Sequence, residues 1–267
     1  MSGAGATTSP PARSLGFDGT RFVPVPTPTG DPLVADSWLV DDGAVVGWST
    51  HVERFVASVR AQGGDEPLAA RAARAVPAAV PATGAWFPRL DWPRTARHDG
   101  PVLHVRPAPA LGRRARVRTA ATDPRTAPTL KGPDLAALWA LRDAAVAEGA
   151  DEAAIVVDGA IVDGATSAIL WWRGDVLHAP PAARERVASV TARQVAAVAL
   201  ALGTAVVEED ATPASLAGAE VWIVNALHGV RGVTAWSEPD GTHHAVAEPA
   251  RADAWHAALE RLRRPWT

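Results

Sequence analysis

Apolar and polar positions change places in short steps over the first third of the chain. Arg21–Val25 and Asp36–Val40 have strand character, and Val45–Trp48 continues it. In HVERFVASVRAQGG the spacing lengthens. Phe55 and Val59 fall one turn apart on one face and Gly63–Gly64 stops the run, which predicts a helix. A second helix is predicted from Ala69 to Val80, ended by Pro81. Pro101–Leu111 and the ARVRTA segment return to strand character, and a Pro- and Thr-punctuated stretch, Ala120–Thr129, reads as a linker.

Beyond the linker the pattern sharpens. PDLAALWALRDAAVAEG predicts an amphipathic helix, with Pro133 in its first turn, Asp134 at its positive end and Gly149 as its cap. AAIVV and AIV are strands joined by Asp158–Gly159, a hairpin signal. Asp163–Gly164 precedes the strand ATSAILWW, and Arg173–Asp175 turns into VLHAP. Then come the helix VTARQVAAVALALG, the strand TAVVEED, a short helix PASLAGA, the strands EVWIVNAL and GVRGVTAW, and a last helix near Ala250–Arg263. Strands alternating with helices, but with several hairpins, predict a mixed α/β (α+β) fold. The predicted division is a structureless start over residues 1–14, a smaller N-terminal unit over 15–118, a linker over 119–129 and a larger C-terminal unit over 130–267.

Composition narrows the function classes. Nearly half of the 267 residues are hydrophobic, enough for a sizeable core. A formal net charge of −3 offers no electrostatic case for nucleic acid or an anionic membrane. No apolar run approaches the roughly eighteen residues of a membrane span. The opening MSGAGATTSPPARS lacks the order of a signal peptide. The absence of cysteine excludes disulfides and thiol catalysis and is compatible with a cytoplasmic location. There is no tyrosine, so no phenol acts anywhere, and the 11 Trp are expected as core or interface anchors.

The familiar phosphate-loop, dinucleotide, zinc-protease and nucleophile-elbow motifs are missing, the eight His show no metal spacing, and no metal is expected. His243–His244 reads as an exposed turn, and Glu208, Glu209 and Asp210 as a solvated run. Lys131 stands apart. It is the only lysine, every other basic residue being arginine, and it lies just before a predicted helix. Codon bias in a GC-rich genome accounts for missing lysines, and a lysine near a Pro-Gly turn is ordinary surface in most proteins. An amine, however, can lose its proton and attack a carbonyl, which a guanidinium cannot.

From Lys131 to Trp236 the order of blocks resembles class IV aminotransferases, the pyridoxal-phosphate (PLP) enzymes of fold type IV. That family includes branched-chain and D-amino-acid aminotransferases and aminodeoxychorismate lyase. The blocks are the Lys131 segment, Ala144–Leu170, VLHAPP, SVTARQVAAVALALG and EVWIVNALHGVRGV, joined in the first half by ADSWLVDDGAVVGWSTHVERF and LHVRPAP. The resemblance implies a two-domain fold with a smaller N-terminal domain and a mixed sheet in the larger one. It places Lys131 at the Schiff-base lysine, Arg54 at the arginine for the cofactor phosphate, and Val190 and Thr191 at a phosphate-binding helix start. Thr191 as a simple N-cap is the alternative there. Asn225 and Ala226 fall on a turn with further phosphate contacts, Asp163 takes the place of the glutamate that pairs with the pyridine nitrogen, and Arg106 falls near the substrate carboxylate.

Departures accompany the match. The tyrosine that commonly follows the lysine is absent, Ala168 stands for Asn, Ser189 for Gly, and Ala226 lacks a hydroxyl. The function implied is a PLP-dependent aminotransferase on an amino or keto acid, homodimeric and cytoplasmic. Arg106–Pro107 points to the branched-chain enzymes, while Asn225–Leu227 resembles the lyase that releases pyruvate and 4-aminobenzoate. A family member without turnover is the third reading.

Overall fold

The computed structural model describes residues 12–94 and 100–266. Most of the expected structureless start lies outside these residues, but Arg13 and Ser14 already belong to a strand. The first half contains β1 (Arg13–Phe17), β2 (Phe22–Pro24), β3 (Val34–Ser37), β4 (Val40–Asp41), β5 (Ala44–Val45), α1 (Trp48–Ala61), α2 (Glu66–Ala79), β6 (Ala85–Trp86), β7 (Arg89–Trp92), β8 (Val102–Val105) and β9 (Arg114–Thr119). The second half contains α3 (Leu135–Ala147), β10 (Glu152–Val157), β11 (Ala160–Gly164), β12 (Ala168–Arg173), β13 (Val176–Ala179), α4 (Val190–Ala201), β14 (Val206–Glu208), β15 (Glu220–Asn225), β16 (Gly229–Ser237), β17 (His243–His244), α5 (Ala252–Glu260) and β18 (Arg264–Pro265).

Three sheets result. One is antiparallel in the order β2-β1-β8-β7-β3, and a small one runs β18-β5-β4-β6. The largest has nine strands, β11-β10-β9-β16-β15-β12-β13-β14 with β17 beside β16, and it is mixed because β9 runs parallel to both β10 and β16. β9, grouped by the sequence pattern with the first unit, is hydrogen-bonded into this larger sheet. Among the described residues no helix is long and apolar enough to cross a membrane.

Local chemistry accounts for most elements. α1 buries His51, Phe55 and Val59, spaced four apart, against the first sheet. The helix predicted at Ala69 begins three residues earlier because Asp65 caps it, accepting from Leu68 N at 2.8 Å. Asp158 and Gly159 both have positive φ, as the β10–β11 hairpin requires. Seven of the tryptophans are buried, and Trp266 at the chain's end packs against Trp48 with ring centres 5.1 Å apart, closing the first core.

Several expectations need correction. Pro133 precedes α3 instead of opening it, and Asp134 turns its carboxylate back to Thr126 and Ala127. The first turn of α3 is capped from outside, by Asp31, which accepts from Ala136 N. Nor is α3 cleanly amphipathic: apolar almost all round, it buries only Ala145 and leaves Trp139 41% exposed. The acidic run is only partly solvated, since Glu209 pairs with Arg173 at 2.9 Å and with His178. PASLAGA forms a single 3-10 turn.

Candidate active site

One cavity of about 620 Å³ brings together Arg54, Arg106, Lys131, Asp163, Val190, Thr191, Asn225 and Ala226, every site residue read from the sequence. Strand β3 organises one side of it. Ala35 N donates to the Lys131 carbonyl at 2.7 Å, tying the lysine's backbone to the strand. The next residue, Gly132, has φ +151, and a Cβ there would stand 2.8 Å from the Leu33 carbonyl oxygen, so only glycine permits this approach. Lys131 itself is half-buried. Burial first, and then the Arg54 guanidinium, push its ammonium down to about 8. Near neutral pH a real fraction is therefore the free, nucleophilic amine.

Asp36, the next residue on β3, holds Arg54. It is completely buried and accepts from Arg54 Nε at 2.8 Å and Nη2 at 2.7 Å, from His51 Nδ1 at 2.8 Å and from Ser37 N at 2.8 Å. Although burial opposes ionisation, Arg54 and His51 hold this carboxyl well below the usual range. Arg54 Nη1 donates to the Ala188 carbonyl at 2.8 Å, which places the guanidinium at the N-terminus of α4. Ser189 is the N-cap there, its hydroxyl accepting from Ala192 N at 3.2 Å, so Thr191 is not. The Val190 and Thr191 N–H groups have no acceptor among the described residues, as expected of a first helical turn. An arginine beside free helix-start amides is a site for an anion.

On the opposite wall, Asp163 is the next-to-last residue of β11 and accepts from Gly164 N at 3.1 Å. Burial pushes its carboxyl up to about 7, with Arg186 and Arg125 pulling the other way. A Cβ at Gly164 would collide with Ser167, 2.6 Å from its hydroxyl, because the chain folds back between the two. Buried Glu152 fastens this turn, accepting from the Thr166 hydroxyl at 2.5 Å and the Ser167 hydroxyl at 2.8 Å. Asn225 accepts from Leu227 N and His228 N within its own turn and donates across to the Thr166 carbonyl. Arg106 donates Nε to the Phe87 carbonyl at 2.8 Å and lies over that ring.

The cavity also takes residues that sequence reasoning missed: His51, Arg89, Arg125, Arg142, His228 and Arg231. Two signals were present. Asp36 interrupts an apolar strand, where a charge demands a partner, and His51 and Arg54 are three apart on one helix face. For Arg142, His228 and Arg231 the sequence carried none.

A protein-family model described as amino-transferase class IV matches residues 33–236. No curated protein matches the chain. Among solved structures it is similar to a hypothetical aminotransferase from Mycobacterium tuberculosis in a PLP-bound form, with TM-score 0.73 and 19% identity over 94% of this chain and 98% of that one. The branched-chain amino acid aminotransferase of Escherichia coli gives TM-score 0.73 and 16% identity, covering 95% and 94%. A putative 4-amino-4-deoxychorismate lyase from Legionella pneumophila gives 0.70 and 15%, covering 88% and 96%. Likeness at such identities establishes a shared fold.

Proposed function

The chain belongs to the class IV aminotransferase family, whose members are PLP-dependent transaminases and lyases, and from that premise we propose that it is an aminotransferase of amino acids working through Lys131. The observation that carries this reading is the depressed Lys131 amine in one cavity with an arginine-lined helix start and a buried carboxyl. These residues suit the cofactor. Its phosphate matches Arg54 and the free amides of Val190 and Thr191, its aldehyde matches the Lys131 amine, and its ring nitrogen matches Asp163. When bound, PLP supplies an electron sink for charge developing at the substrate's α-carbon.

The chain's own residues do the rest. Lys131 holds the cofactor by its amine and, once displaced by substrate, moves the α-proton as base and then acid, a role that a group near pH 8 can fill. Asp163, close to half-ionised near neutrality, pairs with the ring nitrogen and keeps it protonated. Arg106, stacked on Phe87, faces the substrate carboxylate. The chain has no phenol to assist it. A cytoplasmic homodimer belongs to the same reading, with the exposed Trp139 on α3 as a candidate contact.

The test is chemical. Borohydride reduction of the chain with PLP should fix the cofactor on the peptide containing Lys131, and Lys131→Ala should abolish that adduct and lower turnover by about 10²- to 10⁴-fold. An adduct elsewhere, or turnover untouched in Lys131→Ala, overturns the reading; an adduct without turnover on any amino acid identifies a binding protein. The Asn225–Ala226–Leu227 turn favours one second reading, a lyase acting on aminodeoxychorismate. Pyruvate released from that substrate without a keto-acid acceptor would decide for it.

A further inference from the structure

His51 is left unused by the reading above, although it borders the phosphate end of the cavity. Its side chain is 2% exposed, and it lines both the main cavity and a narrow crevice beside it, each time with Val190, Thr191, Asn225 and Ala226. Nδ1 lies 2.8 Å from Asp36 Oδ1. Because Asp36 is held ionised by Arg54 and His51, it can only accept, so Nδ1 carries the hydrogen and Nε2 presents a lone pair. Nε2 has no hydrogen-bond partner among the described residues.

We propose that Asp36 and His51 form a proton-accepting wall for the cofactor phosphate: Asp36 positions both Arg54 and the His51 ring, and His51 Nε2 takes one proton from solvent, keeps it, and donates a hydrogen bond to a phosphate oxygen. The inference rests on the preceding one for the place of the phosphate. The local charge balance motivates it. Asp36 already balances the charge of Arg54, so the guanidinium offers an arriving dianion hydrogen bonds but little net charge. The groups around His51 are Asp36 from β3, Arg54 from α1 and Lys131 from its loop, with Glu260 at the end of α5 and Arg263 just beyond it lining the crevice. Burial, Arg54 and Lys131 keep the ring neutral before the anion arrives, with Asp36 acting against them.

The proton balance has a signature. A phosphate monoester with its second pKa at about 6 is mainly a dianion above that pH, so binding draws one proton from solvent onto His51. Below about pH 6 the phosphate brings its own proton and net uptake vanishes.

Calorimetric titration of the full chain with PLP, in buffers of differing ionisation enthalpy, counts these protons. Lys131→Ala as background removes the contribution of the covalent linkage. About one proton taken up per PLP near pH 7.5, falling to none in Lys131→Ala/His51→Gln, is the expected result, with affinity lowered on the order of 10- to 100-fold. Unchanged affinity and proton count in the double variant overturn the proposal. Asp36→Glu should keep uptake and affinity, and Asp36→Asn should lose both with its cooperative melt intact. If Asp36→Asn does not fold, Asp36→Glu and His51→Gln decide. Borohydride trapping of pyridoxal, which lacks the phosphate, should be equal in wild-type and His51→Gln chains. Loss of trapping on Lys131 in the wild type would refute the function, whereas trapping with a phosphate-insensitive His51 would refute only this inference.

Discussion

The two ends of the cavity are built on opposite terms. At the helix-start end, Arg54 has Nε, Nη1 and Nη2 all engaged, and Asp36 behind it accepts four hydrogen bonds while fully buried. At the far end, Arg142 has no carboxylate partner among the described residues and lies near the Trp139 ring, 5.6 Å from its centre. Arg231 spends Nε and Nη2 on the Arg114 carbonyl and comes no nearer than 3.9 Å to Asp151. Donors fixed in advance stabilise a charge that always arrives in the same place, and they cost little reorganisation when it does. A loosely held arginine such as Arg142 can shift toward groups whose position differs between substrates. On the proposed reading, the contrast assigns the fixed end to the cofactor and the looser end to the substrate.

The strongest challenge to that contrast is Arg54→Ala. Loss of a charge-assisted contact at the fixed end should weaken PLP binding on the order of 10- to 100-fold, read by fluorescence or absorbance titration. Equal affinity would place the phosphate elsewhere. Next is pH. With Lys131 lowered to about 8, its amine is free above that pH and an ammonium below it, so the rate of PLP capture should fall about tenfold per unit on the acid side and level off on the alkaline side. A midpoint near the ordinary lysine value would mean that burial and Arg54 do not act on it. Arg142→Ala probes the loose end. We expect substrate KM to rise by less than about tenfold while PLP affinity stays unchanged, which is the small effect of an adjustable contact. A large loss of PLP affinity would erase the distinction between the ends. The smallest effect should come from Ser189→Ala, which removes the α4 N-cap bond and should lower stability by about 1 kcal/mol, measured by denaturant unfolding.

Much of this was legible in one dimension. The Asp158–Gly159 hairpin, the α1 face and the α4 helix follow from local chemistry, and each forms where the pattern predicts. Lys131 stood out because it is the only lysine. The capping of α3 did not show, because Asp31 is 105 residues from the amide it serves. Arg142, His228 and Arg231 gave no local sign either, since surface and cavity arginines look alike until the chain is folded. Burial and Arg231 push His228 down to about 4, and its Nδ1 accepts from Gly112 N, a contact spanning 116 positions.

The sequence by itself therefore determined the periodicities, the turns, the absence of thiol and phenol chemistry, and the one side-chain amine able to attack a carbonyl. Tertiary structure decided the charge that amine carries. Lys131 falls to about 8 only because folding buries it and sets Arg54 beside it, while Asp163 rises to about 7 only because the sheet encloses it. Propensity and hydrogen-bonded turns act over a few residues, so a linear chain records them. Desolvation and Coulomb forces act through space between residues far apart in the chain, and only the folded molecule fixes those distances.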